Sequence, residues 1–442
     1  MAYIANTDAD QKAMLAEIGL ASIDDLFSQI PEQDRFSGQL DIPASLDQIA
    51  LQKYIARLAG LNADSEKFPT FLGAGVYDHY VPPTVGAVLG RSEFYTSYTP
   101  YQPEISQGVL QSIYEFQTLI GELFAMDVAN ASMYDGATGL AEAAIMAADL
   151  TGRKRVLVFE TVSPAYQAVL RTYLRHSAIE IVVVPNRDGA GDLGALEELL
   201  GDGDAAVLVQ HPNFFGNLEA VRDIVRLAHA AGALVIESPD PISLALLDPP
   251  GAYGVDIVAA EGQSLGCPMG FGGPLLGLFA CKSEFMRRLP GRVVGETKDI
   301  EGKRAFVMTL RTREQDIRRE KATSNICTNV ALYALASAVY LATMGKTGLR
   351  EVAELSTRKA HYAADRISKI PGFSLTYPNA TFFKEFAIET PALVDEINKA
   401  LWSEGIVGGY ALGEKRMLVA VTEQRTSEEI DRFVDVMRRT DW

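Results

Sequence analysis

Between residues 155 and 281 the chain repeats one pattern that leaves few folds open. RVLVFE, IEIVVVP, AAVLVQHP, ALVIES and DIVAAE are near-continuous runs of Val, Ile, Leu and Ala bounded by turn residues. Helical stretches such as SPAYQAVLRTYLRH and AVRDIVRLAHAAG lie between some of them. A strand with one wet face alternates apolar and polar residues; strands that do not alternate are covered on both faces. Helices between such strands are the crossovers that parallel pairing requires. The pattern therefore predicts an α/β domain with a mainly parallel sheet, to which GGPLLGLFACK adds a glycine-edged strand.

The flanks differ. Residues 1–90 mix helical segments (8–18, 22–29, 45–59) with loops, the first helix having Thr7 as its expected N-cap. This reads as an N-terminal arm. Residues 91–345 form the expected large domain, with helices at 106–124 and 323–344 besides those of the sheet. Residues 346–442 read as a small C-terminal α+β domain: helix 349–368, strands SLTYP and FKEFAIE, helix ALVDEINKALWSEG, strand RMLVAV and helix SEEIDRFVDVMRR.

Charge narrows the function. Fifty-seven acidic against forty basic residues give a net charge of −17, and such a field repels phosphate backbones, which argues against nucleic acid. Three cysteines, none in a CxxC pair, suit a reducing compartment. MAYIANTDADQKAML is polar and acidic, without the apolar core of a signal peptide, and no apolar run reaches the ~20 residues of a membrane span. The expectation is a cytoplasmic protein.

Generic ligand motifs fail. MGKTG has Tyr340 where a P-loop carries its first glycine, and GFGGP precedes a strand, not a helix. The five histidines lack metal-ligand spacing. MYDGATGLAEAA says more: Gly136 and Gly139 relax a turn into a helix whose first N–H groups can hold an anion. Asp135 or Thr138 capping a plain strand–helix turn fits equally. In QHPNFFGNLE, Asn213 can bond its own backbone or a ligand. ALVIESPDP ends a strand with Glu237 and then Asp240, a carboxylate site able to pair with a protonated ring nitrogen or to cap the next helix.

Taken in order, these features resemble the aspartate-aminotransferase fold of pyridoxal-phosphate (PLP) enzymes. There the helix-start turn takes the phosphate, the strand-end carboxylate pairs with the pyridine nitrogen, and a lysine at the glycine-rich junction forms the imine. NTDADQKAMLAEIGLASIDDLFSQIP, FLGAGVYDHYVPP, FYTSYTPYQPEISQG, MYDGATGLAEAA, PPGAYGVDIVAAEGQSLGCPMGFGGP, LPGRVVGETKD and RREKATSNICTN resemble subunit 1, the alpha subunit, of bacterial glycine decarboxylase, the P-protein of the glycine cleavage system.

The resemblance implies a departure. The PLP-carrying partner of this family ends the junction strand in Asn-x-His-Lys; here Gln263 falls at the histidine and Ser264 at the lysine. Serine forms no imine with an aldehyde. Lys282, 18 positions on, reads as a surface charge at the end of the next strand. The implied roles are a PLP-carrying beta subunit as partner, a lipoylated H-protein as acceptor and glycine as substrate, with PLP on the partner. This chain is expected to complete the partner's site, with no catalytic residue of its own. Tyr95, Thr96, Tyr98 and Gln102 are the leading candidates to line that site, then Gly73, Tyr77 and His79, and Asn325. Packing of the arm, turn geometry and surface ion pairs account for the same residues. A stand-alone PLP enzyme with an unusual lysine, and a degenerate regulatory scaffold, are the alternatives.

Overall fold

The computed structural model describes residues 5–36 and 38–439. It divides into two compact units, 1–63 and 64–442. In the first, the Asp8–Glu17 helix begins with a capping box: Thr7 Oγ1 accepts the Asp10 N–H, and Asp10 returns the bond to the Thr7 N–H. The Gln48–Ala59 helix is capped by Asp47. Residues 64–90, read from the sequence with the arm, fold in the second unit.

The second unit is built on a seven-stranded sheet in the order Val128–Ala129, Gly277–Cys281, Ile257–Glu261, Leu234–Pro239, Asp204–His211, Arg155–Phe159, Glu180–Val184. Every pairing among the last five strands is parallel, and only Gly277–Cys281 runs against its neighbours. The apolar runs are these strands, and their side chains are buried on both faces, as in Val156–Phe159 and Ala205–Val209. A four-stranded antiparallel sheet, Ser374–Leu375, Glu385–Glu389, Arg416–Ala420 and Tyr410–Gly413, carries a separate apolar cluster with Phe71, Ile397, Leu401 and Phe433.

The helix expected over 323–344 starts later, at Ala331, and runs to Ile367 with a break at Gly345 (φ 59°, ψ −172°). Its expected first turns are held open by other partners. Tyr134 Oη accepts the Cys327 N–H (3.0 Å), Ser132 Oγ the Val330 N–H (2.9 Å) and Ser324 Oγ the Ile326 N–H (3.1 Å). Side-chain oxygens that take backbone donors compete directly with helix hydrogen bonds.

Candidate functional site

Parallel sheets leave a crevice beyond the C-terminal ends of their strands, where several chain segments arrive with free backbone ends. Here that crevice holds a cavity of ≈ 50 Å³. Gln210 comes from the end of the Asp204–His211 strand, Ser238 and Asp240 from Leu234–Pro239, Glu261 and Ser264 from Ile257–Glu261. Lys384 and Glu385 close it from the small sheet.

The glycine turn at Asp135–Gly139 opens onto the same place, and carboxylates of the chain already engage two of its first N–H groups. Asp135 Oδ1 accepts the Thr138 N–H at 2.7 Å, while Glu261 Oε2 accepts the Gly136 N–H at 3.0 Å. Glu261 Oε1 also takes the N–H groups of Gln263 (2.9 Å) and Leu276 (2.8 Å). An internal carboxylate thus stands where an external anion would bind. Only glycine serves at 136, because a Cβ there would lie 2.7 Å from the Glu261 nitrogen. Burial pushes the Glu261 carboxyl up to about 7, against the pull of its three N–H donors.

Gln263 is also fully used. Its amide oxygen accepts the Tyr77 N–H (3.0 Å), and Nε2 donates to the carbonyls of Tyr77 (3.0 Å) and Cys267 (2.7 Å). The side chain at the expected ring-stacking position therefore pins the 73–79 loop. That loop is held again by Glu385, whose carboxylate accepts the Ala74 N–H (2.7 Å) and the Tyr77 hydroxyl (2.6 Å). Burial raises the Glu385 carboxyl to about 7. Gly73 permits this approach, since a Cβ would come 2.2 Å from Glu385 Oε1.

Lys384, 2% exposed, is the residue that sequence reasoning missed. Its ammonium lies 2.6 Å from Asp240, 2.8 Å from His79 Nε2 and 3.7 Å above the Tyr77 ring. With a cation donating to Nε2, His79 must be the tautomer that donates from Nδ1, here to Glu423 at 2.6 Å. The signal was present in the sequence as the one cation of the run FFKEFAIE, because a cation in a buried strand needs partners.

The two strand-end carboxylates, Glu237 and Asp240, have different surroundings. Glu237 is wholly buried on the other face of its strand, where both oxygens accept from Tyr253 Oη at 2.8 Å. Burial raises it to about 8. Asp240, three positions on, is the carboxylate at the cavity, and its Oδ1 also accepts the Ile242 N–H. Asn213 is spent internally on Gly189, Glu219, Phe215 and Asn217. Lys282 pairs with Asp256 and the Gly254 carbonyl, away from the cavity.

The remaining candidates share none of this. Tyr95 and Tyr98 are 69% and 75% exposed, and Thr96, Gln102 and Asn325 are exposed too. Behind them Tyr101 is flanked by Arg292 and Arg311, each 5.3 Å from its ring centre. Tyr77 and Ser264 line the cavity, with Gly73, His79 and Gln263 packed against its lining residues, whereas Tyr95, Thr96, Tyr98 and Gln102 lie on an open face.

A mainly parallel seven-stranded sheet with one reversed strand, a glycine helix start at its C-terminal edge and a small antiparallel sheet closing the crevice define the class of fold-type-I PLP enzymes. The family model for the glycine cleavage system P-protein matches residues 1–437, and the chain belongs to that family. A protein of Desulfitobacterium hafniense named "Probable glycine dehydrogenase (decarboxylating) subunit 1" is 51% identical over 440 residues, covering 98% of each chain. The crystal structure of a glycine decarboxylase (P-protein) of the glycine cleavage system, in inhibitor-bound form, superposes with a TM-score of 0.92 at 44% identity over 99% of both chains. A Burkholderia pseudomallei sphingosine-1-phosphate lyase shares the fold alone, at TM-score 0.67 and 13% identity.

The class implies PLP, and the residues present do not fit it. Ser264 offers a hydroxyl at the junction. The helix start that would take a phosphate is capped by Glu261. Lys384 does line the cavity, but its ammonium is held by Asp240, His79 and the Tyr77 ring.

Proposed function

We propose that the chain is the alpha subunit of a two-subunit, cytoplasmic glycine decarboxylase in which the partner beta subunit holds PLP. The complex releases the glycine carboxyl as CO2 and passes the aminomethyl group to the lipoyl arm of the H-protein. This subunit is inactive alone and works by shaping the partner's site through the face bearing Tyr95, Thr96, Tyr98, Gln102 and Asn325. Gly73, Tyr77 and His79 instead maintain the chain's own cavity. The observation that carries the reading is the Glu261 carboxylate on the Gly136 N–H, which occupies the first helix donor that a phosphate would use.

The test is glycine–bicarbonate exchange with each chain alone and with both together. Exchange only in the mixture is the expected result. One observation favours a second reading, a stand-alone PLP enzyme: Lys384 faces the cavity. If the single chain exchanges carbon, and borohydride fixes PLP onto Lys384, the subunit reading fails.

A further inference from the structure

The cavity contains more hydrogen-bonding capacity than the protein satisfies. The hydroxyls of Ser238, Ser264 and Tyr166 line it and have no partner among the described residues. Ser238 and Ser264 are 4% and 5% exposed, so what accessibility they have is to the cavity. Gln210 adds a further donor: its Oε1 accepts the Ser163 N–H (2.8 Å), while Nε2 points to no acceptor of the chain. Buried polar groups left in this state call for a ligand or ordered water.

Acidic groups outnumber basic ones around these donors. Asp240, Glu261 and Glu385 bring three carboxyl groups to the lining against the single ammonium of Lys384. That ammonium is already shared between Asp240 and His79. A guest is therefore favoured that brings a cationic end for the carboxyls and an anionic acceptor end for the three hydroxyls and the amide. Size restricts it further. A water needs roughly 10–15 Å³ of such space, so ≈ 50 Å³ admits about four waters or one guest of about five non-hydrogen atoms.

We propose that this cavity is a binding site for a small zwitterionic amino acid of glycine's size, its ammonium on Asp240 and Glu261 and its carboxylate on Ser238, Ser264, Tyr166 and Gln210. The site is separate from the one the partner carries, and it gives the chain a means of sensing free amino acid. Choosing glycine as the probe rests on the function proposed above; the cavity chemistry does not.

The experiment is a titration of the full-length chain, purified without its partner and without PLP, with carbon-13 glycine followed by NMR and calorimetry. Saturable one-to-one binding is expected. L-alanine should bind about tenfold or more weakly, since its methyl has no room. Acetate and methylammonium, each carrying one end of the zwitterion, should also bind about tenfold or more weakly. Ser264→Leu fills the cavity and should abolish binding, and the milder Ser264→Ala, which removes only a hydroxyl, should weaken it severalfold. Circular dichroism melts confirm that both variants are folded. Absence of saturable glycine binding, or binding unchanged in both variants, overturns the proposal and leaves the cavity to water. Because the partner is absent, this result is independent of the exchange assay.

Discussion

Two regions carry the family-resembling peptides, and they use polar residues in opposite ways. Around the cavity, Tyr77, His79, Gln263, Lys384, Glu385 and Asp240 bond one another, so that strand ends and the 73–79 loop are locked together. On the other face, Tyr95 and Tyr98 make no such bonds and stand in solvent. Behind them Tyr101 sits between Arg292 and Arg311, with Arg292 also reaching Thr99 and Thr328. The difference teaches which residues serve the chain and which are left to something outside it. The inner set would be costly to disturb in the isolated chain; the outer set would be cheap to disturb there and costly only in an assembly.

The largest effect follows from the buried ammonium. Lys384→Met keeps the length of the side chain but leaves Asp240 and His79 without their donor, and breaking a buried pair in this way costs about 3–5 kcal/mol. Arg311→Met, on the outer face, removes an ion pair with Asp316 whose side chains are 37% and 51% exposed; its cost should stay under about 1 kcal/mol. Urea denaturation of both variants checks the contrast. A Lys384→Met loss no larger than that of Arg311→Met would erase the distinction between the two regions.

The pH dependence should also come from the inner region. Burial raises the Glu385 carboxyl from 4.5 to about 7. A folded-state value above the unfolded one means the neutral form is favoured by folding. The stability gained is complete below pH 4.5 and is lost as pH climbs to about 7, an effect on the order of a few kcal/mol. Glu385→Gln fixes the neutral form and can still meet both Tyr77 and Ala74. Its stability should therefore fall less between those two pH values than that of the parent chain. Parallel curves would show that Glu385 does not titrate in this range.

A pair of glycines sharpens the comparison with opposite signs. Gly73→Ala would press a Cβ to 2.2 Å from Glu385 Oε1 and 2.5 Å from the Ala420 Cβ, and overpacking of this kind costs about 1–3 kcal/mol. Gly108, in the Gln107–Phe124 helix behind the open face, has nothing within 4 Å of such a Cβ. Gly108→Ala should stabilise the chain by up to about 1 kcal/mol through helix propensity. Thermal melts of the two variants should move in opposite directions.

What the sequence made legible follows the same division by range. The sheet was readable because each strand announces itself locally, as in the apolar run RVLVFE between turn residues. Thr7 was readable as a cap because capping acts over three residues. The hydroxyl at Ser264 came from the family resemblance, which lays the junction pattern of the PLP-carrying relatives onto residues 256–264. Contacts between distant segments were not. Glu261 reaches the Gly136 N–H across 125 positions, and Lys384 reaches His79 across 305. Glu237 and Asp240 looked interchangeable because strand direction, not residue type, decides which one faces the crevice. The late start at Ala331 was hidden for a similar reason. Ser132 and Tyr134, which hold residues 327–330 out of the helix, lie almost two hundred positions earlier.

The smallest expected change tests the outer region most directly. Tyr95→Ala and Tyr98→Ala remove rings that touch little in the chain, so each should alter its stability by no more than about 0.5 kcal/mol. If the face meets a partner, the same rings are anchors of the kind that contribute about 2 kcal/mol each to an interface. Capture of the proposed beta subunit should then weaken by about tenfold or more, and exchange activity at limiting subunit should fall with it. Unchanged capture in the double variant would mean that the exposed tyrosines do not form the interface. Unchanged capture combined with a loss of activity would place them at the partner's reacting centre rather than in the grip between subunits.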